Sequence, residues 1–401
     1  MASMRAAPHS RPRIAVLKDG FVPEYRAELF ARLGQMKEVE YVFFHGPAPR
    51  GTGHRAAAGP FSFPHAGFAN RELRIGGRAL VYQPAVRAVA GPAFDGAVLG
   101  AELKMLAHVV LFPLLKLRRK PVLLWGQGGE KGEDRGNAMK ALGRAGGALK
   151  LAAARQADGY IAYTSGGRDR LVEAGADPAR IFVVRNTLDV EAEIALHGRL
   201  AIEPVERLRS ELGLRPDSAV LLFLGRVYPE KKLSELVRAL RELRERRLTQ
   251  RPVEVVVVGD GPDLARIRAE ADGAEGVHFA GEIREPELVG RYLRVATAMV
   301  IPGKVGLAVN HAFAHGVPAI TRVSPLHAPE FEYLEPGRNS IVADGDLGAF
   351  VAAIAEFVDS EEQQARLAAG ALASREGLTV ASMASSFHRA VCRTLGLDVT
   401  Q

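Results

Sequence analysis

Arg226 and Lys231 follow the strand end at Gly225 by one and six residues, across a turn shaped by Gly225 and Pro229. At that spacing both can reach one anion at the same edge. An arginine offers a planar fork matched to phosphate oxygens and a lysine a point charge, so the pair can neutralise a diphosphate without a metal. Either cation alone is more often a solvated surface charge. What favours a shared ligand is that glycine turns end three strands of the same half of the chain, at 225, 259 and 306. In the third, Pro302 to Pro318, an apolar run enters a short helix through Gly306 and Leu307. The unpaired backbone N–H groups at such a helix start suit a phosphate. An ordinary strand-turn-helix unit with no ligand has the same outline.

Other chemistries are poorly supplied. Gly128-Gly-Glu-Lys-Gly132 has the wrong spacing for a P-loop, and Gly259-Asp-Gly261 lacks the third glycine of a dinucleotide fingerprint. No His-Glu-x-x-His occurs, and His311 with His315 gives only two ligands at helical spacing, so neither metal nor other cofactor is expected. Cys392 is the single cysteine, which excludes an intramolecular disulfide and fits a reducing cytoplasm. The excess of 53 Lys+Arg over 46 Asp+Glu suits a phosphate-bearing ligand. No aromatic-basic module accompanies that charge, so no nucleic-acid partner is expected.

The elements that must position these residues alternate in type. Strands are expected at Arg13–Leu17, Val39–Phe44, Ala79–Tyr82, Ala97–Leu99, Val122–Trp125, Gly159–Tyr163 and Ile181–Val184, with a long loop from Pro47 to Asn70. Near residue 190 the pattern restarts, with strands at Ala219–Leu224, Val253–Val258, Val277–Ala280, Ala296–Ile301 and Pro318–Thr321. Strand and helix alternation implies mostly parallel sheets covered on both faces, an α/β chain. At 401 residues it exceeds one ordinary core. The expected division is a disordered leader at 1–12, a first domain at 13–190, a second at 191–360, and helices at 361–401 packing back on the first. Asp19-Gly20 and Trp125-Gly-Gln-Gly-Gly-Glu130 lie at strand ends of the first domain, where such folds place ligands, although a plain turn reads the same way. No run of eighteen apolar residues occurs. The stretch Met105 to Lys120 ends an apolar run with four cations, and is either an interfacial membrane helix or a packed helix with a basic C-terminal end.

Taken in order, these motifs resemble the retaining glycosyltransferases of GT-B fold, family GT4, the glycosyl transferases group 1. The likeness spans nearly the whole chain and is strongest from Leu222 to Asp344. Phe223-Leu-Gly-Arg-Val-Tyr-Pro-Glu-Lys231 is similar to the family's Gly-Arg-x4-Lys diphosphate site. Val258-Gly-Asp-Gly-Pro262, Phe279-Ala-Gly-Glu282, Gly306-Leu307 through Gly316-Val-Pro318, Pro329-Glu-Phe331 and Pro336-Gly-Arg-Asn-Ser-Ile341 follow in the family's order. In the first half, Pro23-Glu-Tyr-Arg26 resembles the opening of one subgroup, and Asn186-Thr-Leu-Asp189 its linker signature.

The resemblance implies two Rossmann-like domains facing across a cleft, a nucleotide-diphosphate sugar bound by the second and a carbohydrate or lipid-linked acceptor bound by the first. It implies transfer with retention at the anomeric carbon, without a metal, in polysaccharide or glycoconjugate synthesis. Arg226 and Lys231 would stabilise the leaving diphosphate, with Gly225, Lys304, Gly306 and Leu307 around the phosphates. Ile283 would lie near the base, His311 at the ribose, and Glu330 near the donor sugar or a phosphate-side hydroxyl. Gly20, Tyr25, Arg26 and Gln127 would stand on the acceptor side. The expected location is the cytoplasm, with peripheral contact at the inner face of a membrane through 105–120 as an open alternative.

One departure is plain. Where the family has two glutamates eight residues apart, this chain has Gly303 and His311, the latter resembling a subgroup with histidine at that position. A carboxylate accepts from two vicinal hydroxyls, whereas a neutral imidazole has one acceptor and one donor. A sugar-nucleotide epimerase or hydrolase of the same fold, and a non-catalytic nucleotide- or glycan-binding relative, remain alternatives.

Overall fold

The computed structural model describes residues 11–48, 55–75, 78–128 and 137–398. Most of the expected leader, and Gly129 and Glu130 of the Trp125–Glu130 motif, lie outside them. The chain divides into two units, 11–185 with 380–398 and 186–379.

In the first unit, β1 (Arg13–Leu17), β2 (Glu40–His45) and β3 (His65–Gly67) form one side of a parallel sheet. A separate hairpin, β4 (Arg71–Ile75) with β5 (Arg78–Tyr82), stands apart from it. The sheet continues with β6 (Gly96–Gly100), β7 (Val122–Gly126), β8 (Gly159–Ala162) and β9 (Ile181–Val183), in the order β3-β2-β1-β6-β7-β8-β9. Alternate residues go to opposite faces: Ile14, Val16, Tyr41 and Phe43 enter one core, Ala15, Leu17, Val42 and Phe44 the other. That is the period of two expected of a strand covered on both sides. Two sequence expectations are corrected here. The strand read at 79–82 belongs to the antiparallel hairpin, because an apolar run announces a strand but not its partner. The stretch 47–70, read as a loop, contains β3, whose His-Ala-Gly composition carries no hydrophobic period.

The second unit has β10 (Ala219–Leu224), β11 (Val253–Val258), β12 (Val277–Gly281), β13 (Ala298–Val300), β14 (Ala319–Arg322) and β15 (Ser340–Ala343). They pair in the order β12-β11-β10-β13-β14-β15, all parallel. β10 and β11 are buried along their whole length, as their apolar runs require, with Glu254 the one charged residue among them.

The tail divides differently from the expectation at 361–401. Helix Glu361–Ser374 buries Leu367 and Ala371 in the core of the second unit, while helix Val380–Leu395 buries Met383, Phe387 and Val391 in the first. Both helices show a buried face in sequence, but periodicity does not say whose core receives it.

Candidate functional site

In the second unit the strand order reverses between β10 and β13. Loops leaving two such strands turn to opposite faces and open a crevice at their carboxyl ends. The loop 225–232 follows β10 and the loop 301–307 follows β13, so the sheet brings both sets of candidate residues to one point.

Backbone hydrogen bonds join these loops. Gly303 N–H donates to Lys231 O at 3.0 Å and Lys304 N–H to Glu230 O at 2.8 Å. On the other side Gly225 N–H donates to Val258 O at 3.0 Å and Val227 N–H to Asp260 O at 2.9 Å. Gly259, at φ +147°, would place a Cβ 1.9 Å from Gly225 O, so only glycine lets the two loops close. The same holds at Gly303, where a Cβ would stand 2.1 Å from Glu230 O and 2.7 Å from the Lys231 carbonyl carbon. The missing glutamate is therefore a consequence of backbone contact: with loops 229–231 and 303–304 bonded as they are, position 303 admits no side chain.

Arg226 is exposed, and no ion pair involves it among the described residues. Lys231 is the opposite case: it is 6% exposed, and its Nζ donates to Lys304 O at 2.7 Å and lies 5.6 Å from the Tyr228 ring centre. Burial, then the neighbouring Lys304, pushes the Lys231 ammonium down to about 8, against a smaller upward pull from Glu330. A lysine lowered in this way is charged below about pH 8 and neutral above it, while the unfolded chain holds its proton up to about 10.5. Burial of the charge therefore costs stability below pH 8, and that cost fades as pH rises through the folded value. A bound anion reverses the sign by favouring the charged form. Isothermal titration with pyrophosphate is thus expected to show affinity falling about tenfold between pH 7.5 and 9.5, with proton uptake on binding at the higher pH. Constant affinity across that range would remove Lys231 from the anion site.

Of the remaining candidates, Gly306 and Leu307 lie on the loop that follows β13 and Glu330 lies in the field of Lys231. No hydrogen bond from the N–H of Gly306 or Leu307 occurs among the described residues, and both precede helix Ala308–Ala314. The loop before them is pinned by His327, which the sequence reading passed over. Val305 N–H donates to His327 Nδ1 at 3.2 Å, so Nε2 carries the hydrogen donated to Arg322 O at 2.8 Å. Ile283 is half-buried just past β12, whose Gly281 O accepts from Gly259 N–H at 2.7 Å. Glu330 is buried and accepts from Asn186 Nδ2, while Tyr333 Oη donates to Asn186 O at 2.9 Å. The carboxylate thus holds the start of the second unit as well as lying in the field of Lys231. His311 Nδ1 lies 3.1 Å from Glu193 Oε1. Among the described residues, no three His, Cys, Asp or Glu side chains are arranged to hold a metal ion.

In the first unit the order reverses between β1 and β6. Gly20 follows β1, its O accepting from Gly46 N–H at 2.7 Å, with half-buried Tyr25 beyond it, and Gln127 is exposed just past β7. Arg26, expected with them on the acceptor side, lies in the interior of the unit. It is 1% exposed, donates to Tyr163 Oη at 3.1 Å and Met383 Sδ at 3.3 Å, and packs over the rings of Tyr25, Trp125 and Tyr163. These contacts link helix 380–395 to Tyr163 at the end of β8. Sequence reasoning missed Lys18 and Glu102, which leave the same reversal point and pair at 2.6 Å. Burial alone would lower the Lys18 ammonium, but Glu102, Tyr163 and Asp19 raise it overall. Beside them burial pushes His108 down to about 4, with its Nδ1–H donating to Gly100 O at 2.9 Å. No spacing rule could have joined residues 84 positions apart. A cavity of about 510 Å³ opens beside β2 and β3, lined by His45, Phe61, His65 and Phe68 among others.

The stretch 105–120 forms helix Leu106–Leu117, with Val109, Val110 and Leu117 exposed. Its cations are largely engaged within the unit: Lys116 pairs with Asp158 at 2.7 Å, Arg118 donates to Ala90 O, and Lys120 donates to Gly91 O and, at 2.6 Å, to Phe94 O. Among the described residues no helix is long and apolar enough to cross a membrane.

Residues 218–360, most of the second unit, match the family model described as glycosyl transferases group 1. Among curated proteins, D-inositol 3-phosphate glycosyltransferase 2 of Catenulispora acidiphila is 31% identical over 254 residues, 59% of this chain and 57% of that one. The D-inositol 3-phosphate glycosyltransferase of Kineococcus radiotolerans is 30% identical over 64% of this chain and 62% of its own length. The chain thus matches about three fifths of the length of these relatives. Among solved structures, Anabaena HepE in complex with UDP aligns with a TM-score of 0.68 at 16% identity, covering 95% of this chain and 100% of that one. Sucrose-phosphate synthase from Thermosynechococcus elongatus aligns with a TM-score of 0.68 at 15% identity, covering 96% and 99%. The fold is that of these structures: α/β, with parallel sheets in two Rossmann-like units.

Proposed function

We propose, from the premise that residues 218–360 carry the group 1 glycosyl transferase pattern, that the protein moves a sugar from a nucleotide-diphosphate sugar to a hydroxyl acceptor, with retention. The observation that carries this reading is the corner at the β10/β13 reversal, where exposed Arg226, buried Lys231 and the N–H groups of Gly306 and Leu307 stand on backbone-bonded loops. As the glycosidic bond breaks, charge develops on the leaving diphosphate. Preformed cations and N–H donors that meet that charge lower the barrier more than they stabilise the bound donor. The two cations and the N–H groups together offset much of the charge on the leaving diphosphate, and the proposed reaction uses no metal.

The first unit is the proposed acceptor side. Lys18, Glu102 and Gln127 offer hydroxyl partners at its strand ends, and the aromatic-lined cavity near His45 suits a sugar ring or an apolar chain. A glycan or lipid-linked sugar fits both features. The proposed location is the cytoplasm, with any membrane contact resting on exposed Val109, Val110 and Leu117 rather than on the engaged cations.

A thermal-shift screen over UDP, GDP, ADP, CDP and dTDP, their sugars and the matching nucleosides tests the donor site, since a ligand of the folded state raises apparent stability. UDP and its sugars come first, because the structurally similar HepE was crystallised with UDP and with UDP-glucose. A shift with one diphosphate and its sugar, unchanged by a chelator, supports the proposal. Equal shifts for nucleoside and diphosphate would overturn the phosphate site. Incubating the preferred labelled sugar nucleotide without acceptor separates transfer from epimerisation or hydrolysis by the product.

A further inference from the structure

By their spacing alone, His311 and His315 form only a pair of possible ligands on one helix. A carboxylate from elsewhere in the second unit completes the set. Glu193 stands in the first turn of helix Val190–Leu200, which packs against helix Ala308–Ala314. Its Oε1 lies 3.1 Å from His311 Nδ1 and its Oε2 lies 3.1 Å from His315 Nε2. His197, one turn further on, sets its ring edge-on to His315 at 5.5 Å between centres.

We infer that Glu193 is a positioning residue that holds His311 with its hydrogen on Nδ1, leaving Nε2 as a hydrogen-bond acceptor for a ribose hydroxyl of the donor; this rests on the donor reading above. An ionised carboxylate accepts and never donates, so both nitrogens facing Glu193 carry hydrogen. The side chain is 13% exposed, and its two histidine partners outweigh burial to keep the carboxyl down at about 2. In each neutral ring the far nitrogen is then bare. For His315 that nitrogen is Nδ1, which is buried without a hydrogen-bond partner among the described residues, in a side chain closed to solvent. His311 is 30% exposed, so its Nε2 is the one that can meet a ligand.

The pair thereby does with two side chains what a glutamate at 311 would do with one. The imidazole donates inward and accepts outward, and Glu193 fixes which nitrogen does which. One lone pair replaces two carboxylate oxygens, so the contact serves one hydroxyl.

The test compares wild type with Glu193→Gln in full-length protein. The ligand is the tightest-binding of UDP, GDP, ADP and CDP, set against its 2′,3′-dideoxy counterpart. Long-range ¹H–¹⁵N spectra of the histidine rings read the tautomer directly. The wild type is expected to show His311 protonated at Nδ1 only and to prefer the ribonucleotide. Glutamine can donate as well as accept, so Glu193→Gln is expected to lose this tautomer and about tenfold of ribonucleotide affinity, with the dideoxy affinity changed less than twofold. Equal loss for both ligands, which a merely structural role gives, overturns the inference, as does a wild-type ring protonated at Nε2 or at both nitrogens. Equal wild-type affinity for the two ligands overturns the hydroxyl contact and leaves the donor reading standing. Binding of neither overturns both. Where Glu193→Gln does not fold, the wild-type spectrum and hydroxyl preference carry the test alone.

Discussion

Gly303→Glu, which restores the residue usual in the resembled family, is expected to disrupt the second unit instead of improving the site. A Cβ at 303 would meet Glu230 O at 2.1 Å and the Lys231 carbonyl carbon at 2.7 Å, and neither is the end of a flexible side chain that could swing away. Relief requires parting the loops that the Gly303–Lys231 and Lys304–Glu230 hydrogen bonds join. Overpacking of this kind costs about 3 kcal/mol, and loss of those two bonds adds to it. For a unit of this size the expected drop in melting temperature is roughly 10 °C, read by calorimetry. Gly303→Ala carries the same Cβ and is expected to fall nearly as far. Because Lys231 O is one of the atoms displaced, anion binding should fall with stability in both variants. A stable Gly303→Glu protein with tighter donor binding would show that the two loops separate freely, and the backbone account of the missing glutamate would then be wrong.

Lys231→Met is expected to separate binding from folding. Methionine approximates the length of the lysine stem and carries no charge into a site where burial already lowers the ammonium to about 8. Removing that charge relieves desolvation and leaves Lys304 O without its donor, two effects of similar size and opposite sign. The melting temperature should therefore change little. A charge-assisted hydrogen bond to phosphate is worth about 1.5–3 kcal/mol, so diphosphate affinity should fall between about tenfold and a hundredfold. Nucleoside affinity should stay within about twofold, since that part of the ligand does not meet the charge. An equal loss for nucleoside and diphosphate in titration would assign Lys231 to holding the loop and leave Arg226 as the phosphate cation. Arg226, exposed and paired with no carboxylate among the described residues, should show a smaller and more salt-dependent loss when replaced by alanine.

The apolar runs of β10 and β11 and the glycines at 225, 259 and 306 made the parallel strands and the turns that end them legible from the residues alone. Arg226 and Lys231 were legible for the same reason: both lie within six residues of one strand end, so local geometry suffices to join them. Gly303 and His311 were also visible, but only as departures from a resembled pattern. Sequence could name the residues in place of the two carboxylates, not the neighbours that each of them meets.

Long-range packing decided the rest. Position 303 lost its side chain to the backbone of residues 230 and 231, and His311 gained a carboxylate from Glu193, which lies 118 positions away. Arg26, read as a ligand contact, became the centre of an aromatic cluster because helix 380–395 covers it, and the tail split between two cores that share the same helical period. The sequence by itself determined what recurs locally: strands, turns and the charges that follow them. Which distant group meets which was decided by the tertiary structure, because hydrogen bonds and steric closure act over a few ångströms of space and take no account of separation along the chain.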